Sequence, residues 1–276
     1  MIDFQLTEEH LALQRTVREF VTREVAPYIK QWDENEHFER SVFDKMADLG
    51  LLGVCIPEHY GGAGFDYVSL GIVCEELEAC DTFMRVAMSV HVGLNSLSIY
   101  SWATEEQKQK YLVPQARGER LATFGLTEPN AGSDVVGMRS YAVRDGDDWI
   151  LNGSKLWISG ADTADFGIVF ARTDPSAGRA GITAFIVDKD MPGFQVRRIV
   201  HVLRSTDYPT ELTFDNVRVP SCNVVGEVGG GFALANERLT RNRVPYAAGC
   251  IGVAVAAQHM AIEYSKHRVV VILRAE

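Results

Sequence analysis

Basic residues are in the minority. In 276 residues, 27 lysines and arginines face 37 aspartates and glutamates, a net charge of -10. A chain of that sign lacks the basic face that nucleic acid requires, and it has no attraction to an anionic membrane surface. Long apolar runs are missing as well: nothing approaches the roughly 18 consecutive apolar residues of a membrane-spanning helix. The opening MIDFQLTEEH has neither a basic stretch nor an apolar core, so it does not read as a signal peptide. Asn152-Gly-Ser154 matches a glycosylation acceptor, but without a secretion signal the match is idle. Cysteine is sparse. Cys55, Cys74, Cys80, Cys222 and Cys250 form no CxxC; their odd number and irregular spacing fit reduced, buried thiols in a cytoplasm. Seven histidines are scattered without HExxH or paired His/Cys spacing, so no metal site is expected.

What is present divides into three blocks of different period. Residues 1–120 read as an α-helical domain. Thr7 caps EEHLALQRTVREFVTREVAPYIKQW, whose apolar positions recur every three to four residues, and Pro27 ends or kinks that helix. Further helices fit residues 40–50, VSLGIVCEELEACD and residues 83–101. PEHYGGAGFD is a loop, and Thr104 caps EEQKQKYLVPQ. Residues 121–228 read as β: TFGLT, RSYAVRD, WILNGSKLWI, FGIVFAR, GITAFIVD, FQVRRIV and ELTFDNVRV are short and rich in branched or aromatic residues. No helix-length segment separates them, which favours an antiparallel barrel or sandwich over βαβ units. Asn152-Gly153 between apolar flanks is a hairpin signal. From 229 to 276 the helical period returns, with Pro245 as a point for a kink. Apolar residues around most of that helix's girth imply cover from other helices or another subunit.

Single motifs favour plain readings. Gly226-Glu-Val-Gly229-Gly230-Gly231 has no Walker lysine and no βαβ frame, and reads as a flexible helix entry rather than a phosphate loop. Gly61-Gly62-Ala63-Gly64 fails the dinucleotide fingerprint. Glu75, Glu76 and Glu78 read as a solvated helix face, and Trp157 as a core tryptophan on a strand. Thr127 and Ser133 alone are turn hydroxyls. Yet Thr127 to Asp134, in FGLTEPNAGSDVVGM, is longer than a bare connection needs.

The order of these pieces carries more than any one of them. FGLTEPNAGSDVVGMRSYAVRDGDDWILNGSKLWISGADTADF resembles the signature region of the acyl-CoA dehydrogenase family, with its Thr-Glu-Pro-x-Ala-Gly-Ser-Asp turn and its later Asn-Gly-x-Lys-x-Trp-Ile strand. PEHYGGAG, KQKYLVPQARGE, TELTFDNVRVP and the long final helix extend the resemblance over residues 1–268. It implies an α+β multidomain fold: a helical N-terminal domain, a middle β domain and the start of a C-terminal helical bundle. It also implies FAD as cofactor and an acyl-CoA thioester as substrate. A glutamate would remove the α-proton, the β-hydride would go to flavin, and electrons would leave to an electron-transfer flavoprotein. The complete form is expected to be a homotetramer of fatty acid metabolism.

Residue by residue, the resemblance implies that Phe124, Leu126 and Thr127 lie along the isoalloxazine. Ser133 would sit near flavin and the CoA arm, and Trp157 and Ser159 would cover the flavin from the adjacent strand. Thr240 would approach the CoA chain and Arg243 the active site, while Arg268 would reach the FAD pyrophosphate of a neighbouring subunit; by themselves both arginines read as helix-surface ion pairs. Small residues around Gly93 would leave room for a branched or cyclic acyl chain. Two departures stand out. Asn242 occupies one of the two family positions of the catalytic glutamate and cannot act as a base; the other position is expected beyond residue 276. Glu237, more than a turn away, is a poor substitute. After Arg268 the match gives way to VVVILRAE, whose apolar part reads as sticky. A catalytically dead flavin- or CoA-binding chain and an acyl-CoA oxidase-type enzyme are the alternatives.

Overall fold

The computed structural model describes residues 5–203 and 206–269. Ten α-helices and seven strands occur among them. The helices are α1 (Glu8–Phe20), α2 (Ile29–Asn35), α3 (Ser41–Asp48), α4 (Tyr67–Glu78), α5 (Thr82–Met88), α6 (Leu97–Trp102), α7 (Glu105–Gln107), α8 (Val113–Ala116), α9 (Gly231–Arg241) and α10 (Arg243–His267). Thr7 caps α1 through a reciprocal bond with His10, which satisfies two end groups of the helix. The expected single helix over 8–32 is broken: a π-helical turn at Val21–Val25 and Pro27 separate α1 from α2. A second π stretch, Ser89–Ser96, joins α5 to α6.

The strands are β1 (Ala122–Gly125), β2 (Tyr141–Asp145), β3 (Asp148–Ile158), β4 (Phe166–Arg172), β5 (Ile182–Asp188), β6 (Phe194–Ile199) and β7 (Thr210–Pro220). They form one curled sheet in the order β1-β4-β2-β3-β7-β6, with β5 also on β4. Most pairs are antiparallel, as the lack of helices predicts. The exceptions are β1 with β4, parallel from Ala122↔Phe166 to Gly125↔Val169, and one parallel pairing of β2 with β4 at Tyr141↔Arg172. The β2–β3 hairpin itself serves as the crossover, so parallel pairing needs no helix here. β4 and β5 are buried almost throughout, matching their continuous apolar runs.

Asn152-Gly153 does not reverse the chain; the hairpin turn lies at Asp145–Asp148. Asn152-Gly153 is an irregularity inside β3, where Gly153 takes φ 140° and a Cβ would lie 2.4 Å from Ser140 Oγ. Glu76 and Glu78 are not solvated: both are buried, Glu76 against Arg18 at 2.7 Å and Glu78 against Arg85. Of the five free cysteines, Cys222 and Cys250 are exposed rather than buried.

One hydrophobic core lies among the N-terminal helices, around Trp32, Phe43, Met84 and Val92. A second spans helices and sheet, joining Ile56 and Leu97 to Phe124, Phe166, Ile186 and Leu234, and so fixes the sheet against the helices. The C-terminal helical run breaks at Asn242, three residues before Pro245. Proline's missing N–H leaves the Arg241 carbonyl without a helical donor, so the break precedes the proline and Pro245 falls in the first turn of α10. No uninterrupted apolar run of membrane-spanning length occurs in the Gly231–His267 span, although by overall length and mean composition it is apolar enough to cross a membrane. Ile251, Val253, Met260 and Ile262 on α10 are exposed. Val269 is described and exposed, but the rest of the apolar end, residues 270–276, lies outside the described residues.

Candidate functional site

β1 runs directly into the Leu126–Asp134 turn, and that turn is bound to β3. The Leu156 N–H donates to the Thr127 carbonyl at 2.9 Å, and the Thr123 hydroxyl donates to the Ser159 carbonyl at 2.8 Å. Lys155, fully buried, donates to the Leu126 carbonyl at 3.1 Å and to Glu128 Oε1 at 2.8 Å. Glu128 in turn accepts the Arg139 amide at 2.6 Å and the Ser140 amide at 3.0 Å. Burial pushes the Lys155 ammonium down against the pull of Glu128. Burial would raise the Glu128 carboxyl, but Lys155 and the amide donors hold it below the usual carboxylate range.

Two residues past Lys155 the strand does something unusual. Trp157 has φ 63°, in the left-handed region, at an irregularity between Lys155 and Ile158. A bulky residue there costs about 1–2 kcal/mol. The core reading of Trp157 is overturned: 48% of it is exposed. The backbone is strained to turn an indole outwards, beside the Thr127 turn, where in-strand alternation would have buried it.

Thr127, Trp157 and Ser159 are thus brought together. The Thr127 and Ser159 side chains are half-buried, and among the described residues neither hydroxyl bonds another group of the chain. Phe124 and Leu126 are almost wholly buried, Phe124 against Phe170 with ring centroids 4.9 Å apart. Ser133 lies on the exposed arm of the turn. Below Ser159 a small cavity is lined by Phe43, Phe83, His91 and Thr163.

The α9–α10 junction approaches from the other side. A Cβ on Gly231 would lie 2.8 Å from the Thr183 backbone, so α9 starts in close contact with β5, and this close approach accounts for glycine at that position. Asn242 is buried, its Oδ1 has no partner, and a Cβ on Gly93 would lie 2.1 Å from that oxygen. Gly93 and Asn95 share the π stretch Ser89–Ser96, and Asn95 donates to the Thr123 carbonyl at 2.7 Å. The junction is therefore linked to β1 through two residues of one helix turn. Thr240 and Arg243 flank Asn242 and are exposed. Glu237 is engaged by Trp102 at 2.9 Å, by Arg238 and by Arg241 at 3.4 Å. Burial would raise its carboxyl, but those donors hold it below the usual carboxylate range, so it is an ion-paired carboxylate of reduced basicity. Arg268 stands apart, about 37 Å along α10 from Arg243 at ~1.5 Å per residue. It lies at the C-terminal end of α10, remote from the Arg243 end of that helix.

Sequence reasoning passed over Lys155, Glu128 and His91. A signal existed for the first two: both stand inside the ordered motifs Thr-Glu-Pro and Asn-Gly-Ser-Lys, and Lys155 is a charge within a strand. Their pairing across 27 positions is not written locally.

Two family models match the chain: "Acyl-CoA dehydrogenase, N-terminal domain" over residues 7–119 and "Acyl-CoA dehydrogenase, middle domain" over residues 123–217. The chain is 40% identical over 268 residues to the short-chain specific acyl-CoA dehydrogenase of Clostridium acetobutylicum, covering 97% of this chain and 71% of that one. A solved chain from the electron transferring flavoprotein of Acidaminococcus fermentans superposes with a TM-score of 0.95 and 41% identity, over 97% of this chain and 71% of that chain. A glutaryl-CoA dehydrogenase from Mycobacterium smegmatis, solved with FADH2, gives a TM-score of 0.89 and 37% identity, over 96% and 67%.

Proposed function

This chain belongs to the acyl-CoA dehydrogenase family, and from that membership we propose that it takes part in FAD-dependent α,β-desaturation of a short acyl-CoA thioester, passing electrons to an electron-transfer flavoprotein. The observation that carries the reading is the convergence of an outward, strained Trp157 with the unengaged hydroxyls of Thr127 and Ser159. An aromatic face and two hydroxyl donors are what a flat, polar-edged isoalloxazine needs. When bound, the flavin would supply the hydride acceptor. Trp157 would cover the ring and keep water from it, and Thr127 and Ser159 would donate to its polar edge, where charge arrives on reduction. Thr240, Arg243 and Ser133 are proposed to meet the thioester and CoA arm, and Arg268 the cofactor of a second subunit in a homotetramer.

Among the described residues no carboxylate is placed to take the α-proton: Asn242 cannot, and Glu237 is ion-paired. We therefore assign to these residues the flavin and thioester frame, not the base. Scattered free cysteines and acidic charge support a cytoplasmic setting. The test is an anaerobic titration of the flavin-loaded protein with short straight, branched and dicarboxylic acyl-CoAs, following the visible flavin band. Perturbation of the band by one thioester supports the reading, with bleaching only if a base is present. A protein that takes up no flavin, or a band indifferent to every thioester, would overturn it.

A further inference from the structure

We propose that the buried Lys155–Glu128 pair is a positioning device that sets Thr127 and Trp157 relative to each other for flavin binding. The inference rests on the reading of those two residues as flavin contacts. Two consecutive strand residues pin three consecutive turn residues. Lys155 holds Leu126 through its carbonyl at 3.1 Å and Glu128 through its carboxylate at 2.8 Å, while the Leu156 amide holds the Thr127 carbonyl at 2.9 Å. Thr127 is therefore bracketed on both sides by one ammonium group. The next residue of β3 after Leu156 is Trp157, at φ 63°. Glu128 also receives the amides of Arg139 and Ser140, which anchors the far arm of the turn to the start of β2.

A turn that needed only to be stable could be packed by apolar side chains. Two ions taken out of water cost several kcal/mol each, and well-packed apolar replacements are often neutral or stabilising. What an ion pair adds is direction: its hydrogen bonds admit one register of turn against strand. A strained, outward Trp157 persists only where its surroundings over-determine it; Thr210 fixes the Ile158 carbonyl on its far side at 3.0 Å, and on its near side Leu156 and the buried pair fix the strand to the turn.

The test uses the full chain with 5-fluorotryptophan in place of its four tryptophans, the Trp157 resonance being assigned with W157F. In the flavin-free protein, K155M should shift or broaden the Trp157 fluorine signal while leaving that of distant Trp32 unchanged. FAD affinity, read by fluorescence, should fall by at least about tenfold. If K155M does not fold, E128Q carries the same test: its one amide oxygen can still accept from one arm, while its NH2 faces a donor of the other and the charge is lost, so the direction should be the same. K155R, which keeps the charge, should recover part of the affinity. An unchanged Trp157 signal in a folded variant, or parallel changes at Trp32 and Trp157, would overturn the proposal, since a general loss of stability would spare no tryptophan. Failure of the unaltered chain to bind FAD would sink the functional reading, yet the flavin-free fluorine spectra would still decide whether the pair positions Trp157.

Discussion

Mild acid should act on this protein through His91. The imidazole is only 4% exposed, in the π stretch Ser89–Ser96. Its Nε2 faces the Gln115 carbonyl at 3.1 Å and its Nδ1 faces the Ala122 amide at 3.3 Å. A carbonyl requires a donor and an amide requires an acceptor, so the ring is neutral with its proton on Nε2. A second proton would point at the Ala122 N–H, in a site walled by Phe43 and Phe83. Burial accordingly pushes the pKa from 6.5 down to about 4, against the opposing Gln115 carbonyl and Asp165. The folded value lies below the unfolded one, so the unfolded chain takes up the proton first. The stabilisation is complete above about pH 6.5 and is lost as pH falls towards about 4. At about pH 5 the loss is about 2 kcal/mol, since each unit of separation is worth ~1.36 kcal/mol. The assay is urea unfolding of the wild type and H91Q across this range. The gap between them should narrow by about 2 kcal/mol from neutral pH to about pH 5, because H91Q has no proton to gain. A constant gap, or an imidazole that titrates near its ordinary value by NMR, would refute the reasoning.

Two substitutions test other parts of the fold. W157G relieves a left-handed tryptophan whose ring is half exposed, so its stability should stay within about 1 kcal/mol of wild type, against the 3–5 kcal/mol of a core tryptophan, while flavin affinity falls; chemical unfolding and flavin titration would be compared. G252A places a Cβ 2.1 Å from the Glu75 carbonyl and forces α10 off α4, so a loss of about 1–3 kcal/mol is expected in thermal unfolding, with the β sheet's circular dichroism retained.

Much of this protein is determined locally. The three- to four-residue apolar period of the N-terminal segment, the capping by Thr7 and Thr104, and the branched strands broken by Asp145-Gly146 and Pro192-Gly193 follow from steric and hydrogen-bonding preferences within a few residues. Those preferences yield helices, then strands, then helices. The ordered turn and strand motifs pointed to Thr127, Trp157 and Ser159 only through the family resemblance they carry; taken singly, Thr127 read as a turn hydroxyl and Trp157 as core. Only the tertiary structure decided how these elements close on one another. Asn152-Gly153 has the composition of a hairpin turn, but pairing with β7 on the other edge carried β3 straight through it. Glu76 and Glu78 look solvated until Arg18 and Arg85, from α1 and α5, cover them. Trp157 reads as core by its residue type, and nothing within a strand's length of it announces a left-handed φ. That conformation depends on a lysine bound to a glutamate 27 positions earlier. Local preference is worth tenths of a kcal/mol per residue, whereas a left-handed tryptophan costs about 1–2 kcal/mol and each buried charge several, and such sums are settled between segments far apart in the chain.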